Sequence, residues 1–427
     1  MRYVIIGNSA AAVGAVEAIR QVDVENSITI VSREPEHVYA RPLISYLLGG
    51  LVDESQMYYR SEEFYDKHNV QTMLGVEVTR IDTAAQKVIL QGGGTLGYER
   101  LLIATGGTPF VPPLPGADLD GVFTFSTWDD ARRLARYIDS HQVESALVVG
   151  GGLIGLKTTE ALLARELPVT MVELADRIMS ATFDRTASKL AETILRREHV
   201  EIRMNNTVEE IIDRAGRVDH AILRDGERLN CDLVVFAIGV RPNTSLIPQD
   251  AGIRIERGII VNSRMRTTNS NVYAAGDCIE AQDMLLGISR PMAIWPNAYR
   301  QGHVAGFNMA GKEKIYDGSM AMNSIEICGI PTISVGLTDP QDKEEFEIMD
   351  RYDRSKPAYK KLVLREDRLV GAIFVGDIDR AGIYTGLIRD QTLVTPFRQH
   401  LLSGNFGLIS LPKEYRKHLV VGSGIEV

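Results

Sequence analysis

Two short glycine-centred runs carry the strongest chemical signal in this 427-residue chain. Tyr3-Val4-Ile5-Ile6-Gly7 runs into Asn8-Ser9-Ala10-Ala11-Ala12, and Ala146-Leu147-Val148-Val149-Gly150 runs into Gly151-Gly152-Leu153-Ile154-Gly155. Each is an apolar strand pattern that stops at small residues and restarts as a helix pattern. Such a turn aims backbone N–H groups and the positive end of a helix at a pyrophosphate, and small residues let the phosphate approach. Two of these devices in one chain point to two bound dinucleotides, the arrangement needed to pass electrons from one nucleotide cofactor to another.

The second run fits the G-x-G-x-x-G spacing at Gly150, Gly152 and Gly155 without substitution, with Leu153 and Ile154 opening its helix. Glu173 closes the following strand about 20 residues on, where an acid accepts the ribose hydroxyls of an adenosine and repels a 2′-phosphate. NADH is therefore expected over NADPH. Arg177 is the opposing signal, because a guanidinium near that position would receive a phosphate. The first run is looser. Ser9 and Ala12 stand where the second and third glycines usually sit, and Gly7, Ser9, Ala10 and Ala11 are the residues placed to approach a ligand. Ser32 occupies the expected strand end, and Glu34 is the nearest acid.

These devices need elements to position them. The alternation of strand and helix patterns from residue 1 to about 310 is that of an α/β fold built from doubly wound parallel sheets. Strands are expected at Tyr3–Gly7, Ser27–Val31, Leu101–Thr105, Val169–Glu173, Asp232–Ile238 and Val272–Ala275. Helices are expected at 12–22, 128–141, 153–165 and 296–310. Pro109–Gly116 is proline-rich and reads as an extended crossing between domains. After about residue 320 the character changes to an α+β cap, with a hairpin over Tyr359–Arg365 and Leu369–Val375 and a helix over Ala381–Asp390.

Composition limits the function classes. The chain is 44% hydrophobic and 24% charged, with a formal net charge of −9. This is ordinary globular composition, and the negative balance argues against nucleic acid as the main partner. No apolar run approaches the ~18 residues of a membrane span, and the strand pattern begins at residue 2, so no leader peptide is expected. Cys231, Cys278 and Cys328 lie far apart and form neither a metal knuckle nor a disulfide framework, so no metal site is expected. A reducing, cytoplasmic setting fits this cysteine usage best.

The motifs in order resemble the FAD-dependent pyridine nucleotide oxidoreductases of the glutathione-reductase-like fold. The matching pieces are Gly7–Ala12, Ala104-Thr105-Gly106-Gly107 with Pro109–Gly116, Gly150–Gly155, Gly239-Val240-Arg241-Pro242-Asn243, and Val272–Asp277. The resemblance implies a discontinuous FAD domain (1–112 and 245–320), an inserted NAD domain (113–244) and a C-terminal interface domain (321–427). It implies FAD contacts from Ala104, Thr105, Gly106, Val78, Gly276 and Asp277, with a helix N-cap as the other reading of Asp277. Within the family, Val38–Ser45, with Arg41 and Pro42, resembles the flavin-edge segment of rubredoxin and ferredoxin reductases and of NADH-dependent nitrite reductase. Disulfide reductases of the family carry two cysteines in this region, and coenzyme A disulfide reductases and NADH peroxidases carry one. This chain has none before Cys231. Without a thiolate beside the flavin, thiol relay chemistry is not expected.

Two further departures matter. Ferredoxin reductases of this type place a Lys where Tyr46 stands and a Glu where Lys157 stands, and in the family these positions meet beside the flavin. Tyr46 and Lys157 are thus the candidate catalytic residues, with Lys157 supplying electrostatic support or else standing as a solvated lysine. Trp295 opens a stretch that faces the flavin in the family, and reads either as a ring packed on the cofactor or as a core tryptophan. The basic run Arg351, Arg354, Lys356, Lys360, Lys361, Arg365 and Arg368 reads as a solvated hairpin face or as a docking patch for an acidic iron–sulfur protein. The resemblance implies a homodimeric NADH-dependent reductase that exchanges electrons through FAD with rubredoxin, a ferredoxin, or an iron–sulfur subunit of a larger enzyme such as carbon monoxide dehydrogenase. An NADH oxidase and a flavin-containing assembly or redox-sensing subunit are the alternatives.

Overall fold

The computed structural model describes residues 1–342, 344–353 and 355–412. The chain divides into two compact units, one formed by Met1–Val172 with Asn206–Ser319, the other by Glu173–Asn205 with the chain from Met320 onward.

The first unit contains two parallel arrays. In one, the strand order is Val272–Ala274, Arg100–Ile103, Arg2–Ile6, Ser27–Ser32, Val70–Leu74. Its central strands are apolar almost throughout and buried, as parallel strands covered on both faces must be. The register sets Tyr3 beside Ile28 and Arg100, and Ile6 beside Val31 and Ile103. In the other, Val169–Val172, Ala146–Val149, Leu233–Phe236 and Val122–Thr124 lie side by side in that order, all parallel. The proline-rich crossing leaves from a two-stranded ribbon, in which Gly107–Pro109 pairs antiparallel with Val240–Pro242.

Helices Ala10–Arg20 and Trp295–Met309 pack backbone against backbone in this unit. A Cβ on Gly302 would fall 1.9 Å from the Ala11 carbonyl oxygen, and one on Gly306 would fall 2.4 Å from that of Ala15. Gly14 meets the Tyr299 carbonyl in the same way, at 2.3 Å. Because Ala11 faces Gly302 and Ala15 faces Gly306, the two helices run parallel.

The second unit is built on a five-stranded antiparallel sheet in the order Met322–Ile327, Ile330–Gly336, Arg368–Val375, Ala358–Arg365, Glu347–Asp353. The expected hairpin is present. Its turn residues Glu366 and Asp367 both have positive φ (50° and 56°), the geometry of a tight two-residue connection. Helix Ala381–Arg389 covers this sheet's strands, and helix Arg185–Arg197 is capped by Asp184, whose side chain accepts from Ala187 N at 2.9 Å.

The basic run does not form one exposed face. Lys361 is buried, Lys360 lies over the rings of Phe374 and Tyr384, Arg365 pairs with Glu345, and Arg368 bonds the Gln391 carbonyl. Only Arg351 and Lys356 are exposed among the described members, and Arg354 lies outside the described residues. Strand alternation explains the dispersal, since neighbouring residues face opposite sides.

Candidate functional site

The two glycine turns are built alike. Gly7 (φ +111°) donates to Val31 O at 2.8 Å, and Gly150 (φ +110°) donates to Val172 O at 2.8 Å. A Cβ on Gly7 would sit 2.1 Å from Ala104 O, and one on Gly150 would sit 2.5 Å from Ala237 O. In both, the strand exit is pressed onto the carbonyl of a neighbouring strand, and only glycine fits that approach with positive φ. Gly155 closes the second turn, where a Cβ would fall 1.8 Å from Gly150 O. Ala12, fully buried, holds the equivalent place in the first.

Both helices that leave these turns begin without a side-chain cap. Ser9 and Gly152 occupy the cap positions, and neither provides a side-chain hydrogen bond. Helix Trp128–Ser140, by contrast, is capped by Thr127, whose hydroxyl accepts from Asp130 N at 3.0 Å. A side chain on Gly152 would meet nothing within 4 Å. First-turn N–H groups without a side-chain cap suit a pyrophosphate, so the residues of both turns fit dinucleotides, with open space shown beside Gly152.

Around the first turn the structure gathers residues far apart in sequence. Gly276 (φ +85°) donates from its N to Gln301 Oε1 at 2.8 Å, and a Cβ on it would lie 3.5 Å from the Ala11 methyl. Thr105 donates its hydroxyl to Asn243 O at 2.6 Å, while Asn243 N donates to Gly106 O at 2.9 Å. Ala104 N bonds Ile6 O. These contacts lie at the carboxyl ends of the central strands, where ligands bind in open α/β sheets. Asp277 is followed by strand Ile279–Gln282, so the helix N-cap reading does not hold. Burial pushes its carboxyl above the usual range, and Arg41 pulls in the opposite direction.

Arg41 is the centre of a network. One guanidinium nitrogen bonds Glu34 Oε1 at 2.7 Å and the other bonds Ser126 O at 2.5 Å. Tyr39 donates its hydroxyl to Glu34 Oε2 and accepts from Trp128 N at 3.1 Å. Burial opposes the charge on Arg41, but Tyr39 and Glu34 outweigh it and hold the guanidinium protonated. Glu34 therefore has both oxygens engaged. A carboxylate has lone pairs to spare for a ribose hydroxyl, so this orients the acid without blocking it. Pro42 starts the short helical turn Arg41–Leu43 that presents Arg41. Val78 opens strand Val78–Asp82 with its side chain in the core, so any contact with a cofactor would come from its backbone.

Tyr46 and Lys157 do meet. The Lys157 ammonium lies 5.0 Å from the centre of the Tyr46 ring, and 2.5 Å from Glu160 Oε2. Glu160, three residues on along the same helix, was not singled out by sequence reasoning, although the i,i+3 spacing of opposite charges is a readable signal. A lysine–glutamate pair is thus present here, contributed by a single helix. Trp295, partly buried, stands edge-on to Tyr59 at 5.0 Å, and its helix also starts without a side-chain cap. Arg60 covers Tyr59 and pairs with Glu17 at 2.8 Å, and Tyr299 donates to the same carboxylate at 2.6 Å. None of these three was anticipated.

Gly239 (φ +101°) opens the ribbon strand Val240–Pro242, and its carbonyl accepts from Phe110 N at 3.0 Å. In the second unit, Glu173 turns back on its own loop, with Oε1 accepting from Ala175 N at 2.7 Å.

Cys231 and Cys278 are buried, and burial pushes their thiols up to about 12 and about 11. Both are therefore unionised near neutral pH and unsuited to nucleophilic relay. A chain with all three cysteines changed to serine is expected to keep its NADH-driven acceptor reduction within about twofold. A loss greater than tenfold in the folded variant, read by steady-state kinetics, would restore a thiol step.

Residues 1–302 match the family profile described as pyridine nucleotide-disulphide oxidoreductase, and residues 322–392 match the rubredoxin NAD+ reductase C-terminal domain. The chain is 34% identical to the nitrite reductase [NAD(P)H] of Bacillus subtilis (strain 168), over 91% of this chain and 47% of that protein. It is 31% identical to the NADH-dependent phenylglyoxylate dehydrogenase subunit epsilon of Aromatoleum evansii, over 94% of each. It thus spans about half the length of the nitrite reductase and nearly all of the epsilon subunit. Among solved structures, the covalent putidaredoxin reductase–putidaredoxin complex superposes with a TM-score of 0.84 at 25% identity, covering 100% of this chain and 99% of that one. No helix among the described residues is long and apolar enough to cross a membrane.

Proposed function

Because the chain belongs to the pyridine nucleotide-disulphide oxidoreductase family, whose cofactors are FAD and NAD(H), we propose that it is an NADH-dependent flavoprotein component that exchanges electrons with an iron–sulfur or rubredoxin-type partner protein. The observation that carries this reading is the meeting of Tyr46 with Lys157, together with a segment Val38–Ser45 that holds no cysteine and the burial of Cys231 and Cys278. The relative matched over 94% of its length is, by its name, one subunit of an NADH-dependent dehydrogenase, which favours work as a component within an assembly, with electron flow in either direction between NAD(H) and the partner.

In this reading FAD occupies the first turn, with Gly7, Ser9, Ala11, Thr105, Gly106, Gly276 and Asp277 around it and Arg41 and Glu34 beside it. NAD(H) occupies the turn Gly150–Gly155, with Glu173 on its adenosine ribose. The corresponding domains are 1–112 with 245–320 for FAD, 113–244 for NAD and 321–427 for a homodimer interface in a cytoplasmic protein. When bound, FAD accepts a hydride from NADH and can release the electrons singly. The chain's own contribution is to hold two pyrophosphates on uncapped helix starts, to fix Glu34 and Arg41 against each other, and to keep the Lys157 ammonium over Tyr46.

The test is capture of partners from the source cell under anaerobic conditions, followed by NADH-driven reduction of what binds. A captured iron–sulfur or rubredoxin-type protein whose spectrum bleaches on NADH addition is the expected result. Rapid NADH consumption in air with no partner present, and no reduction of any captured protein, would replace the proposal with an oxidase.

A further inference from the structure

The turn at Gly276 and Asp277 lies between two helices of the first compact unit. A Cβ on Gly276 would come within 3.5 Å of the Ala11 methyl and 3.6 Å of the Ala298 methyl, so helix Ala10–Arg20 flanks it on one side and helix Trp295–Met309 on the other. Three hydrogen bonds hold its backbone. Ala275 N donates to Ile103 O at 3.0 Å, Ile279 N donates to Gly276 O at 3.1 Å, and Gly276 N donates to Gln301 Oε1 at 2.8 Å. The first two are backbone bonds of the sheet and of the turn itself. The third depends on one side chain, that of Gln301, which is 2% exposed.

Gln301 has one way to sit. The Gly276 N–H can only donate, so the amide oxygen faces it and the NH2 group points away. That NH2 group lies 3.2 Å from Ser319 Oγ and 3.5 Å from the Tyr316 hydroxyl, and these two oxygens are 3.1 Å apart. Both hydroxyls therefore accept from Gln301 and share a proton between them. Each is anchored by its own backbone: Tyr316 N donates to Ser263 O at 2.7 Å, and Ser319 N donates to Gln282 O at 2.7 Å. Both residues are buried, and burial pushes the Tyr316 phenol above its usual range, so it stays protonated near neutral pH. All of these residues belong to the first unit. A buried N–H that loses its acceptor carries the full desolvation cost, and a buried network with every member satisfied holds a single arrangement.

We infer that Gln301 is a positioning residue for FAD: its amide, oriented by Tyr316 and Ser319, fixes the Gly276–Asp277 turn in the conformation that receives the cofactor. The inference rests on the placing of FAD at the Gly7 turn, and adds a side chain 25 positions beyond Gly276 that governs how long the cofactor is held.

The rate of FAD release from the flavin-loaded, full-length protein, followed as flavin passing an ultrafiltration membrane after dilution, tests it apart from turnover. Gln301→Leu keeps the bulk and removes both hydrogen-bonding ends. Release is expected to quicken about tenfold, the factor of one buried hydrogen bond. Gln301→Glu restores an acceptor for Gly276 N–H, and the two hydroxyls can turn to donate to it. Its release is expected to stay within about threefold of native. Tyr316→Phe combined with Ser319→Ala strips the amide of its acceptors and is expected to fall between native and Gln301→Leu. Val304→Ala, a buried truncation on the same helix, is expected to lower the Tm and leave release within about twofold, which separates positioning from loss of stability. Native-like release from folded Gln301→Leu, no rescue by Gln301→Glu, or equal acceleration in Val304→Ala would each overturn the role of Gln301 while leaving the cofactor assignment intact. Where Gln301→Leu does not fold, the Tyr316 and Ser319 double variant decides by the same measure, and native-like release from it overturns the role. A native protein that retains no FAD would overturn the assignment, and the inference with it.

Discussion

Replacing Lys157 with glutamate is expected to slow NADH oxidation in a single anaerobic turnover by about 10- to 100-fold, the range lost when one preorganised charge is removed from a site. The ammonium lies 5.0 Å over the Tyr46 ring and 2.5 Å from Glu160. It sits in the second turn of helix Leu153–Leu163, where the helix dipole does not favour a cation. Its placement there is held by Tyr46 and Glu160 instead. Lys157→Glu would set two carboxylates against each other and a negative charge against a ring face. Lys157→Met removes the cation without adding an anion and is expected to fall between native and glutamate variants. Stopped-flow traces that match the native rate in both variants would exclude Lys157 from the reaction.

A second large effect is expected at Gly7. Gly7→Ala places a Cβ 2.1 Å from Ala104 O at a φ of +111°, and Ala104 cannot retreat because its N–H is bonded to Ile6 O. The variant is expected to purify without flavin absorbance and to melt well below the native protein. Gly152→Ala is the informative contrast. Its φ of −81° is ordinary, and an added methyl meets nothing within 4 Å. Stability is expected to stay within about 1 kcal/mol, while the apparent KM for NADH rises at least about tenfold because the methyl enters the space left for a phosphate. If Gly152→Ala bound NADH as the native chain does, the pyrophosphate would have to lie elsewhere.

Much of the doubly wound architecture was legible because its signals are local. Apolar runs such as Tyr3–Ile6 and Ala146–Val149 end at glycines whose backbone geometry no other residue adopts readily, and observed boundaries differ from the expected ones by a residue or two. Helix Trp295–Met309 and the hairpin Ala358–Val375 were legible for the same reason. Strand Glu347–Asp353 was not, since it is an exposed edge whose residues follow no apolar alternation. Val70–Leu74 is an edge of the same kind, exposed at Gln71 and Thr72.

The candidate site divides in the same way. The Tyr46–Lys157 meeting and the convergence of Gly7, Thr105 and Gly276 followed from the resemblance to the family. The partners that fix those residues did not. Glu34 was read only as the nearest acid to the first turn, and nothing in its neighbourhood revealed that Arg41 and Tyr39 would take an oxygen each. The Arg60–Glu17–Tyr299 cluster joins residues separated by up to 282 positions, a pairing that only the fold specifies. The basic run misled because it was counted along the chain, whereas a strand distributes its charges to opposite sides.

The glycine contacts between helices Ala10–Arg20 and Trp295–Met309 bear on how fast electrons can move. The helices are parallel, so their partial positive ends point the same way. With backbone against backbone at Gly14, Gly302 and Gly306, neither helix can slide without breaking the contact of the other. The field they create is therefore set before any charge arrives, and little of the surrounding protein has to rearrange when it does. With FAD at these helix starts, as proposed, electron transfer would demand little rearrangement of the frame around it.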